Sequence, residues 1–217
     1  MLYSILKLAF ENRAMIGSEQ FVYWDATDPS ACLAPDVFVR LGLPDENFRS
    51  WKTWERGAPH IAVEIVSPSD ADSESWAEKL AKYHRLGIGE LVRFDADEPS
   101  SPLRVWDYVE GDLVERELAP SSVAECAPLG LWWTVREDAE LGLVLRLSRD
   151  AAGRDLLPTE RDLREAEEVR RRVAEAKHQN AEAKRQAAEV ERQAAEAERD
   201  AALEEVRALK QELLKRR

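Results

Sequence analysis

Four residues in the first half of the chain have the types and spacing needed to act on a phosphate ester. Pro35-Asp36 opens one extended segment, Glu64 lies inside the apolar run Ile61-Ala-Val-Glu-Ile-Val, and Lys79 and Tyr83 follow four residues apart. A carboxylate in the middle of such a run is costly to bury unless it is paired or holds a cation. If the two segments are neighbouring strands, Asp36 and Glu64 project at one sheet edge and can share one ion. Magnesium takes a few hard oxygen ligands and keeps several waters, so two carboxylates and a backbone carbonyl such as that of Ile65 suffice, with manganese as the alternative metal. Such an ion polarises a phosphodiester and generates hydroxide near neutral pH. A lysine aimed at the same cleft orients the attacking water and offsets charge in the pentacovalent transition state. Plainer readings stand beside these: Asp36 as a turn residue after proline, and Lys79 as a solvated helix lysine like Lys82.

The elements that must place these groups follow from the periodicity. Ala34–Leu41 reads as a strand entered through Pro35, and His60–Val66, rich in β-branched residues, as a strand buried on both faces. Between them Pro44–Pro59 is a polar connection holding Trp51, Lys52, Trp54, Glu55 and Gly57. After a break at Ser67-Pro68-Ser69-Asp70, Ser75 and Glu78 form a capping-box pattern, and helical spacing runs through Trp76, Leu80, Tyr83 and Leu86 until Gly87 stops it. Lys79 and Tyr83 then share a helix face. Upstream, Leu2, Ile5, Leu6 and Ala9 mark an amphipathic helix. Downstream, Glu90–Asp95 reads as a strand, Leu103–Val109 and Leu113–Leu118 as a hairpin about Glu110-Gly111-Asp112, and the segments around Trp132–Val135 and Leu141–Leu147 as further strands before a turn at Asp150–Gly153. The order predicts an α/β head with helices against a central mixed sheet.

Composition divides the chain. From Thr159 to Arg217 there is no Trp, Tyr, Phe, Pro or Gly, whereas all seven Trp and all ten Pro precede that point. This predicts a globular domain over 1–155 and a charged helical tail over 156–217. Residues 160–217 carry 15 Lys+Arg and 15 Asp+Glu, so the formal charge of −12 falls wholly on the head. That is an objection to any nucleic-acid enzyme, since phosphate contacts want a basic surface. A local rim built from Arg40, Arg49, Lys52, Arg56 and Arg85 would answer it. Arg185-Gln-Ala-Ala-Glu-Val-Glu, Arg192-Gln-Ala-Ala-Glu-Ala-Glu and Arg199-Asp-Ala-Ala-Leu-Glu-Glu repeat at a period of seven, the signature of a left-handed coiled coil. Its seam is mostly Ala until Leu203, Val206, Leu209 and Leu213. A homo-oligomer or a helical partner through residues 158–217 is therefore expected, with a solitary helix held by i,i+4 ion pairs as the alternative. Cys32 and Cys126 are isolated and suit a reducing cytoplasm. The run Leu2–Phe10, interrupted by Lys7, is neither a secretory signal nor a membrane span.

The segments Ala34-Pro-Asp-Val-Phe-Val, Trp51-Lys-Thr-Trp-Glu-Arg-Gly, Val63-Glu-Ile-Val-Ser-Pro-Ser, Glu78-Lys-Leu-Ala-Lys-Tyr and Leu86-Gly-Ile-Gly-Glu-Leu-Val-Arg-Phe-Asp95, in that order, closely resemble the bacterial Uma-two family of restriction endonucleases from about Phe21 to Leu147. The resemblance implies a PD-(D/E)xK restriction-endonuclease-like core, a mixed sheet flanked by helices, acting on DNA with magnesium held by Asp36 and Glu64. The usual lysine two residues after the glutamate is absent, because Val66 stands there. Members of this family look as if they recruit it from the following helix, which matches Lys79. Ser75 stands where relatives commonly have Asp, and either residue can cap a helix. In this reading Asp36, Glu64 and Lys79 are catalytic, Asp36, Glu64 and Ile65 hold the metal, and Tyr83 is an auxiliary that positions phosphate or lysine. Rival expectations are a catalytically idle nuclease fold acting through its coiled coil, and a nuclease acting on RNA.

Overall fold

The computed structural model describes residues 1–46, 48–67, 74–118 and 123–215. The chain forms two compact units, Met1–Glu160 and Arg161–Arg217. The first contains helix α1 (Leu2–Ala9), strands β1 (Ala14–Gly17), β2 (Val22–Tyr23), β3 (Cys32–Leu33), β4 (Val37–Leu41) and β5 (Trp51–Lys52), and the short helix α2 (Thr53–Arg56). It continues with β6 (Ile61–Val66), α3 (Trp76–Leu86), β7 (Glu90–Asp95), β8 (Leu103–Val109), β9 (Asp112–Glu115), β10 (Val123–Cys126), β11 (Leu131–Asp138) and β12 (Gly142–Ser148). Helix α4 (Glu160–Lys215) makes up the second unit.

The central sheet runs β1-β4-β6-β7-β8-β9. Within this sheet, among the described residues, only β6 and β7 pair in parallel, and α3 is the crossover between them. Side chains alternate across a strand, and β6 shows the result. Ile61 and Val63 join the core formed with Leu2, Ile5 and Leu6 of α1 and with Trp133, Leu145 and Leu147 of the β10-β11-β12 meander. Ala62 faces the opposite core of Phe38, Trp51, Tyr83, Leu86 and Trp106. Glu64 stands in phase with Ala62 and so faces α3. Burial on both sides explains why β6 opens on the apolar Ile61-Ala-Val, whereas Ile65 near its end is exposed.

Local signals set the boundaries. Ser75 accepts the Glu78 N–H while the Glu78 carboxylate accepts the Ser75 N–H, a complete capping box, and Gly87 ends α3 in the left-handed region at φ 74°. Glu110 and Gly111, both at positive φ, close the β8–β9 hairpin. Both cysteines are free. Part of the expected Ser67–Asp70 break lies outside the described residues, as do the side chains of Leu209 and Leu213 in the expected tail seam. Among the described residues no helix is long and apolar enough to cross a membrane.

Candidate active site

Asp36 lies one residue before β4 and Glu64 inside β6, on adjacent antiparallel strands in which Val37 pairs with Val63. The Asp36 segment is fixed from the other side too. Ser18 Oγ donates to the Asp36 carbonyl at 2.8 Å, and the Glu19 N–H donates to the Pro35 carbonyl at 3.0 Å. Asp36 Oδ2 accepts the Ile65 N–H at 2.6 Å, which binds the first carboxylate to the strand carrying the second.

Glu64 is 4% exposed and is held by α3 alone among the described residues. Lys79 Nζ donates to Oε2 at 2.5 Å, and the Tyr83 hydroxyl donates to Oε1. One helical turn separates the two donors, so the helix presents both to one carboxylate. Burial pushes the Glu64 carboxyl above its ordinary value, and the bonds from Lys79 and Tyr83 pull it back. Nearby Asp36 adds a smaller upward push. Tyr83 is fully buried, and burial together with the Glu64 charge lifts its hydroxyl well above the ordinary phenol range, so it stays a neutral donor. The Tyr83 hydroxyl, expected beside phosphate or lysine, thus donates to Glu64. Lys82, three residues on from Lys79, pairs instead with Glu74 at 2.8 Å.

The structure thus brings Asp36, Glu64, Ile65, Lys79 and Tyr83 together. Sequence reasoning passed over Arg93, the β7 register partner of Glu64. Its guanidinium bonds Asp95 at 2.7 Å and lies 5.4 Å from the Trp76 ring centroid. Trp76 Nε1 is buried with no hydrogen-bond partner among the described residues. A parallel neighbour reached through a crossover helix leaves no short-range signal in sequence. The expected basic rim is partly committed elsewhere: Lys52 and Arg56 both pair with Glu55, and Arg40 Nη1 donates to the Ala58 carbonyl.

The donor set fits a hard divalent cation. All three candidate ligand atoms are oxygens, two of them carboxylate, and a metal such as magnesium completes its octahedron with water. Among the described residues no group of three or more His, Cys, Asp or Glu side chains is placed to hold a metal.

The family model described as "Putative restriction endonuclease", Uma2, matches residues 1–136. Among solved structures, a crystal structure titled a "putative nuclease belonging to DUF820" from Anabaena variabilis aligns at 16% identity with a TM-score of 0.40, which is too slight to argue from. The alignment covers 57% of this chain and 66% of that one. No curated protein matches the chain. Because the family match spans more than half of the sequence, the chain belongs to the Uma2 family of restriction-endonuclease-like proteins, with a mixed α/β head followed by a long C-terminal helix.

Proposed function

We propose that the head is an endonuclease that hydrolyses DNA phosphodiester bonds with magnesium held by Asp36, Glu64 and the Ile65 carbonyl. One observation carries this reading: Lys79 Nζ lies 2.5 Å from Glu64 Oε2, at the strand ends where Asp36 is tied to the Glu64 strand. A structural lysine has no need of a buried carboxylate in the middle of a strand, and an isolated buried carboxylate is expensive. A bound divalent ion would polarise the scissile phosphate and lower the pKa of water beside it.

The chain's own residues do the rest. Asp36 and Glu64 supply negative charge at a fixed separation, because the Ile65 N–H holds one and α3 holds the other. Tyr83 fixes the Glu64 rotamer from inside the core. Lys79, half-buried, keeps its ammonium at the mouth of the pair, where it can orient water and meet charge developing on phosphate. Val66 shares the face of Glu64 by strand alternation, so the lysine that a strand-borne motif would put there comes from α3 instead.

The test is cleavage of supercoiled plasmid DNA by the full chain in magnesium, beside Asp36→Ala, with an RNA of matched length as a second substrate. Cleavage of DNA by the wild type alone is expected. Equal cleavage by wild type and variant, or preference for RNA, would overturn the reading.

A further inference from the structure

Helix α4 carries charges in two kinds of row, and only one kind is used within the helix. Elsewhere around the helix Arg171 pairs with Glu175, Arg172 with Glu168, His178 with Glu182 and Arg192 with Glu189. A separate row at seven-residue spacing holds Lys177, Lys184, Glu191 and Glu198, and none of these side chains has an ion pair or hydrogen bond among the described residues. The reason is in the sequence. Every residue three or four positions from any of the four is Ala, Val or Asn, so no intrahelical partner is within reach.

This row borders a heptad stripe that runs from Ala166 to Ala201 in alternating steps of three and four residues, every position Ala or Val except Asn180. The stripe is open to solvent along its length, with Val169, Val173 and Val190 at 59%, 50% and 66% exposure. An apolar heptad stripe flanked by charges is the form of a coiled-coil seam. The order of the charges then decides the partner: two basic residues followed at equal spacing by two acidic ones make the row complementary to itself only when reversed.

We propose that α4 pairs with α4 of a second copy of this chain, the two running antiparallel about a centre between Lys184 and Glu191. Lys184 then meets Glu191 of the second copy and Lys177 meets Glu198, and symmetry repeats both pairs. A parallel, in-register pairing brings Lys177 against Arg172 of the second copy and leaves the remaining row charges facing Gln179, Gln186 and Gln193 across the usual flanking positions, whereas the antiparallel register sets Arg172 against Arg207 on the other flank but matches every charge of the row. The antiparallel pair satisfies four otherwise unused charges per helix, and opposite charges aligned this way select orientation and partner.

Two double variants of the full chain with identical composition and net charge test the arrangement. Lys177→Glu with Glu198→Lys reverses one matched pair and keeps it matched. Lys177→Glu with Glu191→Lys sets like charges against each other at all four contacts. Sedimentation velocity should show wild type and the matched variant associating alike, and the mismatched variant weakened at least about tenfold. Circular dichroism should show equal helicity in the variants, since neither change makes or breaks an intrahelical pair. Equal association of the two variants overturns the antiparallel register. A wild type that stays monomeric at tens of micromolar, whether solitary or reserved for a different protein, overturns self-pairing.

Discussion

Asp36 accepts the Ile65 N–H at 2.6 Å, so each carboxylate of the site is anchored through the strand that bears Glu64. Shape and charge at this position can therefore be separated. An asparagine side chain keeps an oxygen to accept that N–H, whereas alanine offers none. Asp36→Asn should melt within about 1 kcal/mol of wild type and Asp36→Ala about 0.5–1.5 kcal/mol lower. Both should lose plasmid cleavage and the magnesium-induced thermal shift. Retained cleavage in Asp36→Asn would remove Asp36 from the ligand set.

Lys79 and Lys82 lie on one helix with different partners, Glu64 and Glu74. Lys79→Met should lower turnover by about 10²-fold or more, as expected for loss of an aligned electrostatic group. Lys82→Met should leave it nearly unchanged. Single-turnover kinetics on a short duplex separates this from weaker substrate binding. The opposite ranking would mean that α3 offers the other face to substrate.

Tyr83→Phe removes the buried donor to Glu64 Oε1 without changing the ring. Leaving a buried carboxylate oxygen unsatisfied should cost about 1–3 kcal/mol in urea unfolding without metal. Loss of a group that orients a ligand should weaken magnesium binding about 10- to 100-fold, read by calorimetry. Unaltered metal affinity would assign Tyr83 to packing alone.

Burial raises the carboxyls of Glu64 and Glu90 above their ordinary value of 4.5. The folded chain therefore holds these protons more tightly than the unfolded chain. Their contribution to stability is fully present below the unfolded value and is lost as pH rises through the raised folded values. Metal-free protein should accordingly lose stability over that interval, and Glu64→Gln should flatten part of the loss. Cleavage runs the other way, since Glu64 must be ionised to hold a cation. Its acidic limb should move to higher pH in Lys79→Met, where a group that lowers the Glu64 pKa is gone. A limb that stays in place would detach the titration from Glu64.

Much of the site was legible in sequence because its parts obey short-range rules. A carboxylate inside Ile61–Val66 betrays itself by the cost of burial, the Ser75–Glu78 box with Gly87 fixes the ends of α3, and the spacing of Leu80, Tyr83 and Leu86 marks the face it turns to the sheet. Elements too short to show a period were not legible: β2, β3 and β5 have two residues each, and β1 is the four-residue run Ala14–Gly17. Nor was the second buried carboxylate. Glu90 is 1% exposed and gathers Trp133 Nε1 at 2.7 Å and Arg116 at 3.3 Å from positions 43 and 26 residues away. Nothing in local spacing announces such a meeting. The basic rim is thinner than a count of cations suggests for a similar reason, since such a count takes no account of Glu55, which engages two of them.

Placing the ammonium on α3 rather than at position 66 gives one chemical group two alternative addresses in the chain. A search for a lysine two residues after the strand glutamate meets Val66, and the pairs that do have this spacing, Glu175–Lys177 and Glu182–Lys184, lie in the tail helix, although the charges it seeks stand 2.5 Å from each other. The two addresses also differ in what they are tied to. A lysine on the strand, in place of Val66, would share its backbone with Glu64, whereas Lys79 depends on the docking of a separately capped helix through Tyr83 and Leu86. Under the proposed mechanism, sequence drift in that helix would silence the head while every residue of the β6 strand stays the same, so an intact strand motif would not guarantee a working enzyme.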